Sequence, residues 1–500
     1  MKSRTVKTGI LASGNTITAL VGVITVAVLA RLLDPDAYAT YRQTFLAYNF
    51  VAPIMLLGLP HALYYFLPVE RHRPRAVVLE NLFVLCFMGF LFSAFLLLGG
   101  NRLLALQFDN PELVHTLTLL VPFALLVLPA ASFTPCLMSR DRVVFAAIFN
   151  GARGLILLAA VVLACWYWRT PSAAIGGMVG ANCLMSVVAI GFMLHVTRGG
   201  PPLPEWQGIK RQVVYSVPLG LAGMLGAINF NLDKIIVSSL CPPDVFAIFV
   251  NGAMRIPLVG ILMSSASAVL LPEMTRSFKA KRPKEVIEVW KRAAKKIALV
   301  LLPCLAILMV VAEPVMRLLY SAKYIESAVP FRIYLLLLPT QIIEFGTIFL
   351  ASGKSRLLLV RAGAAVAINL GLSLFLVHRI GPNGAAVATV TVLYLWSVPF
   401  SMIFIRRIFH VRLRHMLPYA DMLKILIVSG IAALPALWLI SLDVPDLALL
   451  ALGVGSFMLL LAVGYHLSGL ARNPVRQLLK LARRKEAGEH ETKESGEPEA

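Results

Sequence analysis

Five ionisable side chains sit inside otherwise apolar stretches of this 500-residue sequence: Arg153, Asp233, Lys234, Arg255 and Glu344. A charged group at the centre of a bilayer costs at least about 2.5–3.5 kcal/mol, so such residues face a cavity or a partner. Asn229 and Asp233 are four residues apart, as are Asn251 and Arg255. That spacing puts each pair on one face of a helix. Asp233 can then meet Arg255 across two consecutive helices, as a structural ion pair or as part of a site. An arginine offers a planar fork of donors that matches phosphate or carboxylate oxygens, and a lysine offers a point charge. Arg153, Lys234 and Arg255 are therefore the expected substrate contacts in a central cavity. Asp233, Glu344, Asn229 and Asn251 are the ion-pair or coupling candidates. His61, Glu80 and His195 fall near helix ends, where hydration makes them cheap, and get no role beyond an entrance.

Catalytic patterns are missing from the sequence. Residues 351–355, ASGKS, end like a phosphate-binding loop, but Ile348 stands where the first glycine is required. The segment also ends an apolar helix instead of following a strand. No HExxH, metal-ligand cluster or hydrolase elbow occurs. These absences argue for no catalytic residue, no metal and no cofactor. The six cysteines are scattered without a CxxC pair and read as small membrane-buried hydrophobes.

The elements that hold these residues follow from composition. Hydrophobic residues make up 59% of the chain and charged ones 14%, against roughly 25% charged in soluble domains. Mean hydropathy is +0.81. Such a chain is not a soluble enzyme, a disordered scaffold or a disulfide module. About 20 apolar residues cross a bilayer as a helix. Fourteen such runs occur, near 8–33, 43–67, 76–99, 113–138, 143–167, 172–197, 211–240, 244–272, 293–313, 327–352, 355–379, 383–407, 420–441 and 446–467. The expected fold is an all-α polytopic membrane protein. With a cytoplasmic N-terminus, 35 of the 46 Lys and Arg residues fall on the inner side, eight outside and three in the membrane. This bias places both termini in the cytoplasm. It also turns the net charge of +21 into an orientation signal with no bearing on nucleic acid.

A shift of 208 residues aligns separated stretches. Residues 31–41 fall over 239–249, Val121-Pro122-Phe123 over Val329-Pro330-Phe331, Arg153 over Arg361 and Gly176 over Gly384. The shift moves each helix six places on, so the copies share one topology and an axis along the membrane normal. The expected organisation is a six-helix lobe over 1–200, a Pro/Gly-rich linker over 201–208 and a second six-helix lobe over 209–415. Helices 13 and 14 follow over 416–469, then a basic helix and an acidic disordered tail over 470–500. Two basic amphipathic stretches, 284–297 and 475–486, are expected to lie on the inner leaflet against anionic membrane lipid.

Several patterns resemble a known family. ARLLDPDAYATY (30–41) resembles the "ARLLGPxxYGxY" stretch after helix 1 of polysaccharide flippases. Pro218 followed by NLDKIIV (231–237) resembles their helix 7. EPVMRLLYSAKYIESAVPFRI (313–333) resembles their segment after helix 9, and AINLGLSLFLVHRIGPNGAAVATV (367–390) their helices 11 and 12. The chain departs from the pattern at Ala39 and Ser321, where glycine is usual. The likeness runs over about 10–410 and is to Wzx-type flippases of the multidrug/oligosaccharidyl-lipid/polysaccharide exporter superfamily. It implies a transporter, not an enzyme, in the bacterial cytoplasmic (inner) membrane. Its substrate would be a polyprenyl-diphosphate-linked oligosaccharide from O-antigen, capsule or exopolysaccharide synthesis, moved by alternating access. The partners implied are that substrate and polysaccharide polymerase machinery. The rivals are a multidrug cation antiporter of the same superfamily, a lipid II flippase, and a membrane glycosyltransferase or ligase. The antiporter branch has twelve helices and acidic sites. The arginine-rich "SRxLGxxRD" stretch expected of a lipid II flippase is not found. The outer loops are too short for a glycosyltransferase.

Overall fold

The computed structural model describes residues 4–200, 203–254, 256–343, 345–442 and 444–470. Everything regular in them is helical. The first half holds α1 (Arg4–Leu32), α2 (Pro35–Leu56), α3 (Leu59–Val69), α4 (Pro74–Phe95), α5 (Asn101–Gln107), α6 (Leu113–Thr118), α7 (Val121–Ala130), α8 (Phe133–Ser139), α9 (Val143–Trp168) and α10 (Pro171–Val196). The second holds α11 (Trp206–Leu240), α12 (Pro243–Gly252), α13 (Pro257–Lys279), α14 (Pro283–Val310), α15 (Ala312–Tyr320), α16 (Ala328–Leu335), α17 (Leu338–Gln341), α18 (Phe345–Ala351), α19 (Ser355–Ile380), α20 (Asn383–Val392) and α21 (Val398–Phe409). α22 (Tyr419–Ile440) and α23 (Asp446–Leu467) close the described chain. Prolines open α2, α4, α10, α12, α13 and α14. At the first helical position a missing N–H costs nothing and the fixed φ suits the helix.

Among the described residues, eleven helical segments are long and apolar enough to cross a membrane, or twelve if α11, bent by 51° between Pro218 and Gly223, is one span. The sequence led us to expect fourteen. Of the two remaining runs, 8–33 offers a shorter apolar helix over Thr18–Leu32. The other, 244–272, is broken between Gly252 and Pro257 into α12 and α13. A proline carries no N–H for a helix arriving from behind, so it starts a new one.

Packing repeats between the halves. α1 lies on α9, α9 on α10, α10 on α7 and α7 on α4. In the second half α11 lies on α19, α19 on α20, α20 on α16, and α14 on α16 and α17. The 208-residue shift carries one set into the other. α22 and α23 pack on each other and against α14 and α15. The halves meet mainly where α2 and α3 run along α11, with α2 also touching α12 and α1 touching α13.

Midway along this seam both helices break. Leu57 (φ 48°) and Gly58 (φ 72°) separate α2 from α3. A Cβ on Gly58 would sit 2.8 Å from the Gly220 nitrogen and the Ser216 carbonyl oxygen, and one on Gly220 would overlap the Leu57 backbone. Two glycines are needed because two backbones touch.

One expectation for the lipid surface is overturned. Residues 284–297 are not a separate interfacial helix but the first turns of the 28-residue α14. Val286, Ile287, Val289, Trp290 and Ala294 are buried in the protein core, with the Trp290 ring 6.1 Å from that of Phe345. The apolar stripe faces neighbouring helices, so it has no face left for lipid. The second amphipathic stretch, 475–486, and the acidic tail lie outside the described residues.

Candidate functional site

Three polar regions come out of this packing. One end of the molecule gathers the basic loops and is termed the basic end. There Arg73, in the turn between α3 and α4, is 4% exposed and meets three carboxylates. Its Nε donates to Glu70 Oε2 at 2.7 Å, its Nη2 donates to Glu80 Oε1, and its Nη1 lies 2.6 Å from Glu205 Oε2. Glu70 also faces Arg211 at 3.3 Å. Gln212 Nε2 donates to the Val77 carbonyl at 3.0 Å and to Glu80 Oε2 at 3.1 Å. Asn81 Nδ2 donates to Gln212 Oε1 at 3.0 Å, and Ser132 Oγ donates to Asn81 Oδ1 at 2.7 Å. Burial alone would lower the Arg73 pKa, but Glu80 and Glu70 outweigh it and hold the guanidinium above its ordinary value. Glu80 is 1% exposed. The expectation that it sits cheaply in water at a helix end is therefore wrong: it is a buried partner of Arg73. Glu205, Arg211 and Gln212 come from the linker side and α11, the others from the first half, so the cluster ties the halves together.

The opposite end has a different seam. Tyr38 on α2 donates to Asn251 Oδ1 on α12, and Arg42 Nη1 donates to Tyr38 Oη at 2.6 Å and to Asn251 Oδ1 at 3.3 Å. The Tyr324 ring packs edge-on against Tyr38 at 5.6 Å. Arg31 donates to the carbonyls of Leu318 and Leu319. Asn251 thus belongs to the interface between the halves. Its expected companion on a helix face, Arg255, lies outside the described residues. The charge count above includes Arg42 among the eight outer cations, whereas it lies inside α2, two turns beyond Pro35. The apolar run began too late in the sequence to reveal that.

The third region is within the second half. A cavity of about 370 Å³ is lined in part by Asn229, Thr340, Gln341, Arg361 and Ser397. A neighbouring cavity of about 280 Å³ is lined in part by Phe230, Pro257 and Tyr334. Leu337 and Gln341 line both. Two expected site residues, Arg255 and Glu344, lie outside the described residues. Their chain neighbours Met254 and Ile256, and Ile343 and Phe345, line these cavities. The proposed pairing of Asp233 with Arg255 likewise falls outside what is described.

The remaining expected residues are placed as follows. Asn229 lines the larger cavity. Asp233 is 2% exposed and its Oδ1 accepts the Lys234 backbone N–H at 2.8 Å. Lys234 Nζ donates to the Phe230 carbonyl at 3.1 Å and sits 4.5 Å above the Phe230 ring. Arg153 on α9 is half-buried, and its Nη2 donates to Asn182 Oδ1 on α10 at 2.6 Å. Its Nε is buried with no hydrogen-bond partner among the described residues. Arg361, the residue equivalent to Arg153 under the repeat, donates to Ser401 Oγ on α21 at 2.9 Å. Arg153 thus reaches from α9 to its direct neighbour α10, and Arg361 from α19 past α20 to α21. No group of three or more metal-ligating side chains occurs among the described residues.

An all-helical membrane chain with a two-fold internal repeat and a polar interior is the architecture of a transporter. Residues 28–329 match the model of the polysaccharide biosynthesis protein family, and the chain belongs to that family. A curated relative, "Probable lipid II flippase MurJ" of Rhizobium meliloti (strain 1021), is 26% identical over 332 residues. That alignment covers 60% of this chain and 62% of the relative, so the chain spans less than two thirds of its length. Among solved structures, a lipid II flippase MurJ in an inward closed conformation is similar with a TM-score of 0.72. It is 15% identical, over 91% of this chain and 98% of that one. An inward-facing multidrug resistance MATE family transporter of the MOP superfamily is similar at 0.64 and 14%, over 79% and 95%. The fold is that of the MurJ and MATE transporters.

Proposed function

We propose that this protein moves a polyprenyl-diphosphate-linked oligosaccharide across the bacterial cytoplasmic membrane by alternating access. In this reading the chain has fourteen spans, two six-helix lobes and a cytoplasmic basic end. The family match supports a role in polysaccharide assembly, and the repeated packing supports two lobes. The observation that carries the reading is Arg153. It is a half-buried cation on a membrane helix whose hydrogen-bond partner is the Asn182 amide, with no carboxylate within ion-pair distance among the described residues. A guanidinium retained only for packing would be expected to carry a counter-ion, since an isolated charge in low dielectric is costly. A diphosphate supplies that counter-charge on arrival. Lys234 and Arg255 are further phosphate contacts, and Asp233 and Glu344 are the coupling candidates.

Arg153→Ala should abolish surface-polysaccharide export in cells while membrane abundance stays normal; normal export would sink the role. A second reading, lipid II transport, is favoured by the 26% identical relative. It has its own arm of the same experiment: rescue of cells depleted of their lipid II flippase. Rescue by the wild type, lost in Arg153→Ala, would replace the oligosaccharide by lipid II and keep the arginine.

A further inference from the structure

The two cavities of the second half adjoin at Leu337 and Gln341 and differ in chemistry. Phe230 and Tyr334 stand at an aromatic end, and Asn229, Thr340, Arg361 and Ser397 at a polar one, with Gln341 common to both. Volumes of about 370 and 280 Å³ are in the size range of small-ligand sites.

The backbone around this space is irregular on two sides. The chain crosses one wall as three short helices, α16, α17 and α18, instead of one. On another wall, Leu393–Ser397 forms a π-helical turn between α20 and α21, and Leu393 and Ser397 both line the cavity. Single π turns and interrupted membrane helices recur at binding sites, because they turn backbone and side-chain polar groups inwards.

The repeat supplies a control. The 208-residue shift places Phe133 under Gln341, Met138 under Gly346, Leu157 under Ala365, Val21 under Asn229 and Ala189 under Ser397. At these five positions the first half has a larger or apolar side chain where the second half has glycine, alanine, an amide or a hydroxyl. The corresponding stretch of α10 is unbroken helix, without a π turn. The arginine is common to both, as Arg153 and Arg361. A void left in a protein interior forfeits packing contacts, so its retention needs another cause.

The chemistry of the lining indicates the ligand. Side-chain amides and hydroxyls both donate and accept, as a polyhydroxylated ring does. Flat aromatic rings offer an apolar surface to the C–H face of such a ring. We propose that the joined cavity is a saccharide subsite. It takes a pyranose unit of the head group, with its ring face towards Phe230 and Tyr334 and its hydroxyls on Gln341, Asn229, Thr340 and Ser397. The inference rests on the oligosaccharide reading above and adds that the second half, not the first, reads the sugar.

The test uses the full-length protein in nanodiscs and two probes: lipid-linked oligosaccharide extracted from host membranes, and undecaprenyl diphosphate without sugar. Ala365→Leu gives the second half the residue the first half has at the equivalent position, Leu157. It should weaken binding of the sugar-bearing lipid by about tenfold or more and leave the bare lipid diphosphate unchanged. Retained binding of the bare lipid also reports a folded protein. If that variant does not fold, Gln341→Ala and Ser397→Ala carry the same comparison. Equal losses for both probes, or no loss for either, would overturn the saccharide subsite while leaving the transport reading standing. Binding of neither probe to the wild type would overturn the transport reading and the subsite with it.

Discussion

The seam between the halves is built from opposite materials at its two ends. At the basic end it is ionic: one buried arginine, three carboxylates, a second arginine and two amides. At the opposite end it is mostly neutral: tyrosine rings, one asparagine and two arginines, Arg31 and Arg42, that hydrogen-bond to uncharged oxygens. Removing one member of a buried ion pair typically costs about 3–5 kcal/mol, because the other charge is left unpaired. A neutral hydrogen bond contributes roughly 0.5–1.5 kcal/mol. The difference means that the two ends do not separate with equal ease. A transporter that opens alternately must weaken the ionic end with something charged, whereas modest rearrangement suffices at the neutral end.

The largest effect should come from Arg73→Ala. It leaves Glu70, Glu80 and Glu205 facing one another, with Arg211 still paired with Glu70. Two serines on α11 can report the outcome, Ser216 towards the basic end and Ser238 towards the opposite end, each fully buried. As cysteines in otherwise cysteine-free protein they measure opening by reaction with a membrane-impermeant maleimide. A loss near 3–5 kcal/mol should raise labelling at position 216 by about two to four orders of magnitude, with position 238 no more reactive than before. Equal changes at both would show that the seam behaves as one unit.

The middle of the seam should respond next. Gly220→Val puts a branched side chain onto the backbone at Leu57. Overpacking of this kind costs about 1–3 kcal/mol or more. It should raise labelling at both positions together, because the contact lies between them. Labelling that rises at one end only would mean that the glycine contact belongs to that end and is not a shared pivot.

What sequence alone discloses here follows from the range of each interaction. The apolar runs and the repeat were legible because helix length and copy number are written in consecutive residues. Ser321, which departs from the glycine of the resembled pattern, adopts φ 90°, so the pattern correctly marked a turn that favours glycine. The ionic seam was not legible. Arg73, Glu80 and Glu205 have no local spacing that links them, and Glu80 looked hydrated because only its position near a helix end was visible. The pairing of Asn251 with Arg255 falls outside the described residues, and α12 itself ends one residue after Asn251. Arg153 and Arg361 were aligned by the repeat, yet the cavity beside Arg361 depends on Gln341, Gly346 and Ser397, which converge from separate helices.

The smallest effect sharpens the comparison most. Tyr38→Phe removes a hydroxyl that donates to Asn251 and accepts from Arg42, but keeps the ring against Tyr324. The Asn251 carbonyl oxygen keeps Arg42 as a donor at 3.3 Å, so it is not orphaned. The guanidinium also retains the Val250 carbonyl at 3.4 Å. The loss should therefore stay near 1 kcal/mol, the scale of a neutral hydrogen bond. Labelling at position 238 should rise by less than about tenfold, and at position 216 it should not change. A rise as large as the one Arg73→Ala gives at position 216 would mean that Arg42 cannot stand without the phenol. The neutral end would then be an ionic seam held through one tyrosine, and the two ends would differ in residue type but not in strength.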